Sequence, residues 1–241
     1  AGEWDTPALI ALCEVENDSV LTHLLYRTPL KLQQYRYCMT HGSDIRGINS
    51  ALLYQRDRFG YIGHKEHPVI FTHKKHKQTR NILHVWGKVI TSDTLDVFVC
   101  HLPSRYGGEK ESEADRFDAA RTVRELCDSL LRIRTNPQIL IMGDFNDTPE
   151  NTSITQILAA EKITTRTEAN KLYNLFADPH VLNHPGTHKY QGEWNQLDHI
   201  IVSGNLLDKN STMHVAPGSN RIFIPPFLLT EDKTWHGKRP F

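Results

Sequence analysis

The chain has 241 residues, its 28 Lys and Arg balance its 28 Asp and Glu, and its mean hydropathy is −0.48. A neutral chain carries no global field to attract a nucleic acid or membrane surface, so an anionic substrate has to be captured locally. Its apolar runs are strand-sized, far below the ~20 residues that span a bilayer, which reads as a soluble protein without a transmembrane segment.

Residues 7–13 form the first apolar run, and it stops at Glu14. Asp18 opens a short helix over 18–25. Strands follow near 35–40, 48–55 and 58–63, with Gln55, Arg56, Asp57 and Arg58 as a hairpin turn. Segment 64–80 carries Lys65, Lys74, Lys75, Lys77 and four histidines against Glu66 alone. Such a basic loop suits a phosphate backbone, and it equally suits a solvated face. Strands recur near 81–90 and 94–101, the second ending at His101. From 111 to 134, Phe117, Ala120, Val123, Cys127, Leu130 and Leu131 repeat at three and four, a helix that Asn136 and Pro137 end.

Residues 138–142 read as a buried strand that halts at Gly143 and presents Asp144, Asn146 and Asp147. Thr148 and Pro149 suit the start of a second helix with Ile154, Ile157 and Leu158 facing inward. Residues 186–190 and 197–202 read as two strands joined around Gly192, with Asp198 opening the second. Beyond Asn205 the pattern fades into an irregular arm. Cys13, Cys38, Cys100 and Cys127 have neither paired nor metal-type spacing and are expected as thiols. Alternating strands and helices without repeats or a long linker imply one α/β sandwich domain over 1–241.

Four apolar runs thus each terminate in ionisable residues: Glu14, His101, Asp144 with Asn146, and Asp198. In this order, the segments Leu12-Cys13-Glu14-Val15, Val99 to Ser104, Gly143-Asp144-Phe145-Asn146 and Gln196-Leu197-Asp198-His199 resemble the endonuclease/exonuclease/phosphatase family, which includes deoxyribonuclease I. The resemblance spans nearly the whole chain. It implies a four-layer α/β/β/α sandwich with two facing mixed sheets. It also implies divalent-metal-dependent hydrolysis of phosphate esters, with Glu14 as ligand for Mg²⁺ or Mn²⁺. A hard cation needs only one or two carboxylates beside waters and substrate oxygens.

The remaining roles follow the same resemblance. His101 is expected to meet phosphate charge or the leaving oxygen by donating a proton or hydrogen bond. Asp144 is expected to orient water, Asn146 to grip phosphoryl oxygens, and Asp147 to cap the following turn. Arg80, and more weakly Arg105, are candidate substrate-phosphate ligands. Asp198 resembles the aspartate that orients a histidine from a C-terminal Ser-Asp-His sequence. This chain departs from the pattern there, because no Ser-Asp-His occurs. The family's first strand is missing before Ala1, and Cys13 stands where Gln is usual. The domain is therefore expected to be a piece trimmed at both ends, and as such it could be inactive. The residues do not separate a cytoplasmic from an exported protein.

The expected function is a nuclease-type phosphodiesterase acting on a phosphate-ester substrate, with nucleic acid favoured. A lipid or inositol phosphate hydrolase shares the same motifs, and a non-catalytic binding module would keep the sandwich without the chemistry. The first alternative calls for a long apolar loop, and the sequence has none. In the second, Glu14 need not bind Mg²⁺, and metal titration separates it from the enzyme.

Overall fold

In a computed structural model, residues 5–42, 44–74, 78–178 and 183–240 are described. Side-chain parity along the strands explains their stacking, because successive residues of a strand face opposite ways. Strand β3 (Asn49–Gln55) is buried along its whole length. Its Leu52 and Tyr54 point to one apolar cluster, while Ala51 and Leu53 point to another. An interior strand of this kind must be covered on both faces.

Strand β3 is the centre of an antiparallel three-stranded sheet in which β1 (Leu9–Val15) and β2 (Tyr35–Met39) flank it. The larger sheet has seven strands in the order β4-β5-β6-β7-β12-β9-β8. These are β4 (Phe59–His67), β5 (Ile82–Val89), β6 (Thr94–His101), β7 (Gln138–Asp144), β8 (Ala160–Lys162), β9 (Leu172–Asn174) and β12 (Asp198–Ser203). It is mixed: β6 runs parallel to β7 and β8 to β9, whereas the other neighbours are antiparallel.

Helix α1 (Asp18–Arg27) starts where the Asn17 side chain accepts the Val20 N–H at 3.1 Å. It lays Leu21 and Leu25 on the outer face of the small sheet. Helix α2 (Glu109–Ile133) covers the outer face of the large sheet, placing Ala119, Ala120, Val123 and Cys127 against Phe98, Cys100, Ile139 and Ile141. Each fully buried Val or Leu contributes about 1.5–3 kcal/mol. Between the sheets, Leu52 and Tyr54 meet Val85, Val97, Val99 and Val202, with Leu140, Met142 and Ile200 at the margin. The layers are therefore helix, small sheet, large sheet, helix, as the family resemblance implied.

The structure revises three sequence readings. Gly192 turns between β10 (His188–Tyr190) and β11 (Glu193–Asn195), which pair only with each other. Residues 198–203 pair instead with β7 and β9, where an apolar strand finds burial on both faces. The helix expected after Pro149 is a single five-residue π-turn, Ser153–Ile157. Asn151 competes for its start by accepting the Thr148 N–H at 2.6 Å and hydroxyl at 2.8 Å, yet Ile154 and Leu158 still point inward. The basic segment is not one free loop. His64 to His67 lie in β4, and His73 and Lys74 reach Asp115 on α2 at 2.9 and 3.0 Å. Lys75, His76 and Lys77 lie outside the described residues.

The irregular arm after Asn205 ends in a short hairpin, β13 (Leu229–Glu231) with β14 (Lys238–Pro240). All four cysteines are free thiols. Among the described residues no helix is long and apolar enough to cross a membrane.

Candidate active site

Three of the expected residues fall on one line across the large sheet. His101 pairs in register with Asp144, and Asp144 with Asp198. Parity fixes their direction: His101 continues the row Val97, Val99; Asp144 continues Leu140, Met142; Asp198 begins the row that runs through Ile200 to Val202. The three side chains therefore extend the inter-sheet core at its end, where apolar packing stops and water begins.

Glu14 comes to the same end from the opposite sheet. The β1–β3 register slips between Leu12 and Val15, and Glu14 takes φ 61° within that bulge. Left-handed backbone is unfavourable for a glutamate, and such conformations persist where surrounding structure over-determines them. Strand β1 crosses β6 and β7 here, with the Cys13 thiol 3.5 Å from the Cys100 carbonyl. A cavity of about 630 Å³ runs along β1 and is bordered by Cys13, Met142, Gly143, Asp198 and Ile200. Neither Glu14 nor Asp144 lines it, but the Glu14 charge acts on the Asp144 carboxyl, so the two lie near each other beside its mouth.

Gly143 makes the close approach of β6 and β7 feasible. Its φ is 141°, and a Cβ would lie 1.9 Å from the Cys100 carbonyl oxygen. The next residues turn sharply: Asn146 is left-handed at φ 52°, and its backbone N–H donates to Asp144 Oδ1 at 2.8 Å. Asparagine tolerates that conformation better than most residues. Its side-chain Nδ2 donates to the Leu102 carbonyl at 3.0 Å, joining the β7 loop to the β6 loop.

The electrostatics at the mouth are unbalanced. Desolvation, followed by the neighbouring Asp198 charge, pushes the Asp144 carboxyl up to about 7; the Asn146 N–H and Arg80 oppose this, and Glu14 adds to it. Asp198 itself is exposed at the rim, and its carboxyl is raised by the protein packed behind it. His101 is buried, and desolvation together with the Arg80 and Arg46 charges lowers its imidazole to about 3. It is therefore neutral at physiological pH. Of the two expected roles, a proton or a hydrogen bond, a neutral ring supplies the hydrogen bond from its N–H. Its Nε2 lies 3.7 Å from Asp144 Oδ2, beyond hydrogen-bond range, and its Nδ1 has no partner.

Both arginines expected to meet substrate phosphate are engaged by the protein. Arg80 is buried, donating from Nη2 to the Leu102 carbonyl at 2.5 Å and from Nε to the His101 carbonyl at 3.2 Å, with Asp44 3.4 Å from Nη1. It holds the His101 loop, and its charge acts on the Asp144 carboxyl. Arg105 donates to the Asn146 carbonyl at 2.7 Å and to Asn151 at 3.0 Å, with Asp147 at 3.3 Å and Glu109 at 3.1 Å. Strand-end arginines looked available in sequence because their partners are distant in it.

Asp147 does more than cap a turn. It is 1% exposed, lies 2.7 Å from the Nε of fully buried Arg116, and accepts the Ser153 hydroxyl at 2.5 Å. Sequence did hold a signal for Arg116: it sits on the buried stripe of α2 between Ser112 and Ala119. Behind the loop, buried His199 accepts from Asn174 Nδ2 at 3.1 Å, which assigns its Nε2–H as donor to the Asp147 carbonyl at 2.9 Å. Nothing in the spacing announced that bridge.

A family model described as the endonuclease/exonuclease/phosphatase family matches residues 1–241. The chain belongs to that family. No curated protein matches it by sequence. Among solved structures, the human Nocturnin catalytic domain with bound sulfate is similar at TM-score 0.61 and 15% identity, over 82% of this chain and 69% of that one. A mannosyl-6-phosphatase from Bacteroides thetaiotaomicron is similar at TM-score 0.57 and 18% identity, over 81% and 71%. D. rerio TDP2 complexed with a single-strand DNA product is similar at TM-score 0.54 and 12% identity, over 82% and 71%. At these identities the likeness establishes a shared fold, the deoxyribonuclease I-like sandwich of a hydrolase family.

Proposed function

We propose that this chain carries the site of a divalent-metal-dependent phosphodiesterase of the nuclease type. The observation that supports it best is the line His101, Asp144, Asp198 facing Glu14, in which the Asp198 and Glu14 charges both act on a desolvated Asp144 and the Asn146 N–H and Arg80 offset them only in part. A divalent cation is the natural counter-charge. Among the described residues no three His, Cys, Asp or Glu side chains form a closed metal cage. Mg²⁺ and Mn²⁺ keep several waters and need only one or two carboxylates. Glu14 would hold it, with Asp144 close by. When bound, such an ion supplies neutralisation of charge developing on phosphoryl oxygens.

The chain's own groups divide the rest of the work. Asp144 accepts a hydrogen bond from the attacking water and orients it in line with the ester. Asn146, fixed by Leu102 and Asp144, presents its amide to a phosphoryl oxygen. Neutral His101 directs an N–H into the mouth when its proton sits on Nε2, leaving Nδ1 as the unpaired acceptor. Asp198 closes the rim beside Asp144. Arg80 and Arg105 position the two loops. TDP2, which shares the fold, is solved with a single-stranded DNA product, and this favours nucleic acid as the substrate class.

The test is hydrolysis of bis(p-nitrophenyl) phosphate by the 241-residue chain in Mg²⁺ or Mn²⁺ and in chelator. Product release in metal that stops in chelator and in Asp144→Ala supports the proposal. Release that persists in chelator, or an Asp144→Ala protein with full activity, overturns it.

A further inference from the structure

The rim beside Asp198 carries a row of exposed rings that the hydrolytic chemistry does not use. The β10–β11 hairpin begins there: the Thr187 hydroxyl accepts the backbone N–H groups of Leu197 and Asp198, both at 3.3 Å. His188, one residue further, is close enough for its charge to act on the Asp198 carboxyl. Strand alternation sends His188 and Tyr190 outward on one face and Lys189 the other way. Their rings are nearly parallel, with centroids 6.5 Å apart and planes inclined by 19°. That is about twice the ~3.4 Å rise of stacked bases. Tyr190 is 63% exposed.

A second hairpin packs against this one and holds it in place. Trp235, 53% exposed, packs its Cβ over Gly192, where a left-handed φ of 88° closes the turn. The inward Lys189 ties the two hairpins together by donating to the His236 carbonyl at 2.6 Å and pairing with Asp232 at 3.3 Å. Lys233 and Arg239 are exposed on the second hairpin, and exposed Lys238 pairs with Glu231. Solvent-facing aromatics with cations beside them are what unpaired bases on a phosphate backbone require, whereas a base-paired duplex offers no open ring faces along its flank.

We propose that His188 and Tyr190 form a stacking track for single-stranded nucleic acid, receiving the bases that flank the phosphate presented to Asn146 beside Asp144. This reading rests on the phosphodiesterase site proposed above and names its substrate as unpaired strand. A sugar phosphate could also lie against aromatic rings, and the test separates the two.

The probe is a fluorescein-labelled twelve-residue oligothymidylate, its binding followed by anisotropy in chelator so that no strand is cut. The comparison ligands are the same strand annealed to its complement and unlabelled mannose 6-phosphate as competitor. Stacking is worth about 1–3 kcal/mol per base, so Tyr190→Ala and His188→Ala should each weaken single-strand binding at least about fivefold. Tyr190→Phe, which keeps the ring, should restore it, and duplex binding should not change. Equal affinity in wild type and Tyr190→Ala overturns the track, as does displacement by mannose 6-phosphate, or a wild type that binds no single strand. Hydrolysis of bis(p-nitrophenyl) phosphate in Mg²⁺ is read separately, in wild type. Loss of that activity in wild type would refute the hydrolytic site instead, and the two failures remain distinguishable.

Discussion

Asp144 and Asp147 stand three residues apart on one loop and are treated in opposite ways by the fold. Asp147 is buried against Arg116, Arg105 and the Ser153 hydroxyl, so its charge is fully met. Asp144 faces Asp198 and Glu14, and the Asn146 N–H and the Arg80 charge oppose their repulsion without cancelling the rise. The contrast separates a carboxylate that builds the loop from one that the loop leaves among like charges. A compensated acid is architecture; an uncompensated one at a cavity mouth is a place for a cation or a reacting proton.

The comparison breaks hardest if Asp147 is removed. Asp147→Ala leaves a fully buried Arg116 without its counter-charge, and urea unfolding should show a loss of about 3–5 kcal/mol. Asp144→Asn should do the reverse in the metal-free protein. It should lower hydrolysis of a diester about 10²–10⁴-fold, yet raise stability at pH 8 by about 1–3 kcal/mol because one member of the repelling set is neutralised.

The pH dependence follows from the same asymmetry. The Asp144 carboxyl titrates near 7 when folded and near ~3.9 when unfolded. Between these values the native state holds a proton that the unfolded state lacks. In chelator this group makes stability fall as pH rises through that window, with the full loss above about pH 7. Mg²⁺ should therefore raise the thermal midpoint more at pH 8 than at pH 5, and Glu14→Gln should abolish most of that gain. A midpoint that responds equally at both pH values would detach the cation from these carboxylates. The smallest effect is expected at Arg105. Its partly exposed guanidinium shares Asp147 with Arg116, so Arg105→Ala should cost only about 1 kcal/mol of stability. Its mark on kcat comes through the Asn146 carbonyl that it holds.

How much of this was legible in the chain depends on whether the information was local. Apolar runs that end in single polar residues marked β1, β6, β7 and β12, and with them Glu14, His101, Asp144 and Asp198. The three-four repeat marked α2 because helical amphipathicity is written within a few turns. The turn at Gly192 was legible, yet its partner strand was misread, since pairing depends on which edge offers burial. The π-turn after Pro149 escaped because the local hydrogen bonds of Asn151 outweighed the helical start that Pro149 suggests.

Sequence alone determined which residues are apolar at every second position, where those rows end, and which ionisable groups stand at the ends. Only the tertiary structure decided that Arg80 and Arg105 turn inward, that Arg116 sits beneath Asp147, and that His101 is neutral. The reason is physical. Parity and periodicity are properties of a single strand or helix, whereas desolvation and Coulomb interaction depend on groups brought together from distant parts of the chain.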